Sequence, residues 1–154
     1  MENAPNLQNP GIETGNTALD AIINSKKILA ESKGIKFITR IQVPESLQIA
    51  PSDICMIFGN ALDNSIEACD KIETGDKNIS IAVIYEDNSI TCKIVNPIQS
   101  QNPKFKTTKQ DKANHGFGIE NIKTALGKYK NVFKITQTEN EFILFFVIFI
   151  SPSL

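Results

Sequence analysis

The chain has 154 residues, 41% of them hydrophobic, enough for one packed domain and short for two. Its 16 basic and 17 acidic side chains nearly cancel, so no global charge draws it to nucleic acid or to an anionic membrane, and any phosphate site must be local. Three cysteines, Cys55, Cys69 and Cys92, form no CxxC or metal-ligand spacing and are expected as small apolar core residues in a reducing compartment.

Residues 1–15 are rich in Asn, Pro and Gly, lack the charged start and apolar run of a signal peptide, and read as a disordered segment or linker. The folded domain is expected over 16–154. Asn16 is a suitable N-cap for a helix, "TALDAIINSKKILAESK", whose Leu19, Ile22, Ile23, Leu29 and Ala30 share a face and which Gly34 stops. "IKFITRIQV" (35–43) alternates apolar and polar with period 2, as a half-buried strand does. A second helix, "PSDICMIFGNALDNSIEACDKI", has Pro51 at its start and Asp53 in its first turn. Two strands, "NISIAVIYE" (78–86) and "SITCKIVN" (89–96), are joined by Asp87-Asn88, a hairpin turn signal.

Periodicity then fails over 97–115, a loop long enough to be functional or mobile, which carries Lys104, Lys106, Lys109 and Lys112 with Thr107 and Thr108. The glycine pair of "HGFG" is expected to open a third helix. Two further strands follow, "VFKITQT" and "EFILFFVIFI", the latter a buried strand because nine apolar residues are far fewer than the roughly 20 that span a bilayer by helix. Hairpin-linked strands and segregated helices indicate a two-layer α+β sandwich, and the whole reads as a soluble, cytosolic piece of a larger protein.

Three features point to chemistry. Asn60 and Asn64 in "GNALDNSIEA" lie four apart on one helix face, where their amides can reach one small ligand, and an amide oxygen is a hard neutral donor suited to Mg²⁺. The "HGFG" glycines let backbone approach a ligand, and a helix N-terminus there favours an anion. The lysine- and threonine-rich loop beside them could close over phosphates. Each has a plain alternative: a solvated amide face, a tight loop-to-helix turn, a solvated loop. Neither a Walker A motif nor a Rossmann fingerprint fits.

Taken in order, "IFGNALDNSIEAC", a strand ending "KIVN", "FKTTK" and "HGFGIENI" resemble the N box, G1 position, F-box region and G2 box of the GHKL (Bergerat-fold) ATP-binding domains of sensor histidine kinases. The nearest likeness is to the peptide-quorum-sensing (accessory gene regulator type) subfamily, and it extends over about residues 16–150. The resemblance implies a mixed, mostly antiparallel sheet of about five strands, covered on one face by about three helices, with a long ATP lid. It implies that Asn64 ligates Mg²⁺ and that Asn60 contacts the phosphates or the metal's waters. Gly116 and Gly118, with a helix start at Phe117 and Ile119, are assigned to the triphosphate and lid hinge. Lys109 becomes a lid lysine, Phe105 the lid's hydrophobic anchor, Thr108 part of the same binding segment, and His115 a phosphate-contacting or lid-positioning residue. Asn96 stands where most of the superfamily has an aspartate that accepts from the adenine amine, and "NPIQ" lacks the usual DxGxG. Glu67 stands where many histidine kinases have a basic residue.

The family's hydrolases carry glutamate one turn before the metal asparagine, a carboxylate able to activate water. Asn60 has no such basicity, and a neutral imidazole acceptor needs none, so the expected reaction is transfer of the γ-phosphate of Mg-ATP to histidine in two-component signalling. The acceptor would be on a dimerisation domain of the full-length kinase, absent from this chain, and the isolated fragment would bind ATP without autophosphorylating. The other expected partner is a response regulator, with no nucleic acid; homodimerisation belongs to the full-length protein, anchored in the plasma membrane through an N-terminal sensor region. A GHKL ATPase and a degenerate nucleotide-binding or interaction module are the alternatives.

Overall fold

The computed structural model describes residues 10–99 and 109–150, and, within the last helix, side chains from Phe117 onward. The elements are α1 (Thr17–Ser32), β1 (Lys36–Gln42), α2 (Pro51–Asp70), β2 (Asn78–Glu86), β3 (Ser89–Pro97), α3 (Lys109–Leu126), β4 (Lys130–Gln137) and β5 (Glu141–Phe149). Asn16 caps α1, its side chain accepting from the Leu19 N–H at 3.0 Å. The loop before it is pinned to that helix. The Asn24 amide both accepts from and donates to the Ile12 backbone, and Asp20 accepts from the Thr14 and Gly15 N–H groups and the Thr14 hydroxyl.

One five-stranded sheet has the order β1-β2-β3-β5-β4. β1 runs parallel to β2, and every other neighbouring pair is antiparallel. Asp87 and Asn88 both take the left-handed conformation (φ 51° and 58°), which the two-residue hairpin between β2 and β3 requires. Alternate strand residues, among them Ile81, Cys92, Ile94, Leu144 and Phe146, are buried against the helices in one core. At its centre Phe146 meets Phe58 of α2 edge to face, with ring centroids 5.7 Å apart. This is the two-layer α+β architecture expected. No helix among the described residues is long and apolar enough to cross a membrane.

The helices are registered on one another. Ile22 approaches Gly59, Lys26 pairs with Asp63 at 2.7 Å, and Lys33 pairs with Asp70 at 3.3 Å. Each pair is 37 positions apart, so α1 and α2 run parallel and in step. α3 runs antiparallel to α2: Asp53, near the start of α2, meets Lys128 and Tyr129 just past the end of α3, while Asn64 meets Gly118.

Two expectations are corrected. α3 begins at Lys109, so the glycine pair lies inside the helix instead of opening it, and Phe117 and Ile119 are interior positions. Lys109 to Ala113 are residues that a helix accepts readily, and each glycine costs only about 1 kcal/mol relative to alanine, too little to force a start there. Cys55 is exposed, unlike the buried Cys69 and Cys92, because it falls on the solvent side of α2 between the inward-facing Ile54 and Ile57.

Candidate functional site

Asn60 and Asn64 occupy the middle of α2, on the border between its buried and open faces. Asn60 donates from Nδ2 to the Met56 carbonyl oxygen at 2.7 Å and lies 3.2 Å from Met56 Sδ, so its amide is turned along its own helix. Asn64 reaches across. A Cβ placed on Gly118 would stand 3.0 Å from Asn64 Oδ1 and 3.4 Å from Nδ2, closer than a methyl sits comfortably. Only glycine leaves the Asn64 amide undisturbed against α3, and the two residues, distant in sequence, form one small polar niche. Of the neighbouring carboxylates, Asp63 is committed to Lys26 and Glu67 faces solvent.

Asn96, near the end of β3, is on the same sheet face as Cys92 and Ile94 and is 1% exposed. Its Nδ2 donates to the Pro97 carbonyl at 2.9 Å. Its Oδ1 is buried and has no hydrogen-bond partner among the described residues. A buried acceptor without a donor costs roughly 1–3 kcal/mol, and the structure keeps one here, aimed inward at the end of a strand where the loop to α3 begins.

At the start of α2, Asp53 is 4% exposed and accepts from the Tyr129 hydroxyl at 2.6 Å and from Lys128 Nζ at 2.9 Å. The same hydroxyl accepts from the Ala50 N–H at 3.0 Å. The Tyr129 hydrogen bond first, then that of Lys128, hold the Asp53 carboxyl below its ordinary value against the opposing effect of burial. Burial, and then the bond to Asp53, push the Tyr129 phenol up. This cluster ties the helix that bears both asparagines to the far end of the helix that bears Gly118. The sequence marks Asp53 as a first-turn acid; partners 75 and 76 positions away leave no local signal.

Of the remaining expected site residues, Phe117 is 75% exposed and Ile119 is half-buried against the core. Lys109, His115 and Gly116 belong to the backbone of the first turns of α3, and their side chains are outside the description. Phe105 and Thr108 lie outside the described residues. So Asn64 and Gly118 are brought together, and Asn96 offers an open acceptor.

Among the described residues no group of three His, Cys, Asp or Glu side chains could cage a metal. The donor chemistry of the niche, one neutral amide oxygen beside a glycine that leaves the helix surface open there, fits an ion that keeps its waters and takes its other ligands from phosphate.

The sequence profile of the GHKL domain family matches residues 49–149. In three dimensions the chain is similar to the nucleotide-free catalytic domain of histidine kinase ThkA, with TM-score 0.67 and 15% identity over 92% of this chain and 97% of that one. It is similar also to the histidine kinase domain of the blue-light-activated kinase EL346 from Erythrobacter litoralis, with TM-score 0.66 and 8% identity over 90% of this chain and 62% of that one. Full-length ShkA in complex with AMPPNP matches with TM-score 0.64 and 12% identity, over 90% of this chain and 30% of that one. Identities this low speak to the fold alone. A search of curated proteins by sequence finds no match.

Proposed function

The chain belongs to the GHKL domain family, and on that premise we propose that it is the ATP-binding catalytic domain of a two-component sensor histidine kinase, nearest to the accessory gene regulator type. It binds Mg-ATP and delivers the γ-phosphate to a histidine on the dimerisation domain of the same full-length kinase, which then serves a response regulator. The site is cytoplasmic, and the full-length protein is held at the plasma membrane by its sensor region.

The observation that carries this reading is the orphaned Oδ1 of Asn96. With one Nδ2 hydrogen donated to Pro97, which fixes the orientation of the amide, Oδ1 is left as an acceptor, which suits the exocyclic amine of adenine. At the other end of the nucleotide, Asn64 and Gly118 would hold the metal and the phosphates; the bound ion would supply charge neutralisation of the triphosphate. Asn60 offers an amide where water activation would call for a carboxylate, which favours transfer to a neutral imidazole over hydrolysis. Lys109, Thr108, Phe105 and His115 would serve the lid that excludes water during transfer, with Gly116 at its hinge beside the triphosphate.

Calorimetric titration with Mg-ATP tests it. Wild type is expected to bind saturably, Asn64→Ala to lose metal-dependent affinity, and Asn96→Ala to lose the preference for ATP over GTP. Labelled γ-phosphate should not accumulate on the isolated chain. The unbroken helix through Gly116 and Gly118 favours a second reading, a GHKL module that keeps the fold without binding nucleotide; absence of heat at millimolar Mg-ATP would select it.

A further inference from the structure

The sheet face turned away from the helices alternates with the core side chains, and strand register lines its residues up in rows. The middle row reads Arg40, Ala82, Lys93, Phe145, Lys134 across all five strands. Its three cations are on every second strand, about 10 Å apart at ordinary strand spacing. The row on one side reads Ile38, Ser80, Val95, Ile143, Thr136 and that on the other Gln42, Ile84, Thr91, Val147, Val132, mostly aliphatic and with no charged side chain. Ile38 and Val132 are 45% and 48% exposed.

The side chains of Arg40, Lys93 and Lys134 make no hydrogen bond or ion pair with any described residue, whereas Lys26, Lys27, Lys33 and Lys128, on the helix side, each hold a carboxylate. In a chain of net charge −1 this face is thus a local cationic departure set in aliphatic surface. Its extent, four strand spacings by the five residues that three rows span, is on the order of 250–300 Å², a patch of the size a peptide segment covers.

The geometry selects the partner. An anionic bilayer would gain little from the rest of the chain, whose net charge is −1. A nucleic acid would satisfy the cations and could stack on Phe145 but would leave the flanking aliphatic rows without an apolar partner. A helix supplies both kinds of contact: seven residues rise about 10.5 Å and return to the same face within about 20°, which matches the cation spacing. We propose that this face docks an acidic amphipathic helix of a protein partner, with carboxylates one heptad apart meeting Arg40, Lys93 and Lys134 and apolar residues between them covering Phe145 and its aliphatic neighbours.

The probe is a helical peptide with Glu at every seventh position and Leu and Ile between, titrated into the isotopically labelled chain while amide shifts are followed. Binding should perturb the outer residues of β3, β5 and β4 and leave α2 unchanged. The triple variant Arg40→Glu/Lys93→Glu/Lys134→Glu, its fold checked by circular dichroism and its Mg-ATP titration unchanged from wild type, should bind about tenfold more weakly. A peptide with Lys in place of Glu should restore the loss. Equal binding of a scrambled peptide of the same composition, an unaffected triple variant, or preference for anionic phospholipid vesicles or a single-stranded oligonucleotide would overturn the proposal.

Discussion

Asp53 is a buried carboxylate held by a phenol and an ammonium, and the direction of its shift fixes how it acts with pH. A carboxyl whose folded value is lowered contributes stability above its ordinary value, near 3.9, and loses that contribution as pH falls through the lower folded value. Asp53→Asn is therefore expected to cost about 1–2 kcal/mol at pH 7, the loss of charge-assisted hydrogen bonds. Urea melts of wild type and variant should converge as pH falls through the lowered folded value, below which both side chains are neutral; a gap that persists in acid would assign Asp53 to packing alone. Residue identity told much here. Asn60 and Asn64 stood out in the sequence because an amide in a helix interior is out of place without a partner, whereas Asn96 was marked only by its place in the family resemblance. Lys128 and Tyr129 did not stand out, since a lysine and a tyrosine after a helix are ordinary until folding brings them to Asp53.

Caps and turn residues made α1, α2 and the β2–β3 hairpin legible: Asn16 binds the Leu19 N–H, Pro51 starts α2, and Asp87-Asn88 takes the positive φ values that their residue types tolerate. The start of α3 was not legible, because Lys109 to Ala113 suit helix and loop alike and glycine is only a weak breaker. What the glycines do emerges at the contact between elements. Gly118→Ala should hold or raise stability, by up to about 1 kcal/mol, since alanine is the better helix former and the atoms in its way are the mobile end of Asn64. The same methyl pushes the Asn64 amide aside by a few tenths of an ångström, so affinity for Mg-ATP should fall by about tenfold, or 1.4 kcal/mol. Thermal melts and calorimetry on one variant would thus move in opposite directions, and parallel losses in both would deny Asn64 its part in binding.

Sheet order had no local signal. β4 and β5 follow each other as a hairpin, yet it is β5 that joins β3 and β4 that takes the edge, a choice made by long-range packing around Phe146. The run "FILFFVIFI" marked a strand but not its two environments, because apolar residues on both faces erase the period-2 signal. Folding separates them: Phe146 is 0% exposed against Phe58, whereas its neighbour Phe145 is half-buried on the outer face between Lys93 and Lys134. Adjacent identical residues therefore carry different duties in the molecule. Phe146→Ala should cost about 3–5 kcal/mol through loss of burial and a cavity beneath α2, enough to unfold most of the population of a marginal domain. Phe145→Ala should cost less than about 2 kcal/mol, because its ring is only partly buried and faces solvent on one side, and should instead weaken the acidic helix probe several-fold. Equilibrium urea denaturation and peptide titration on the two variants would separate the faces; equal destabilisation by both would mean that the outer face is as much a core as the inner one and leaves no room for a partner.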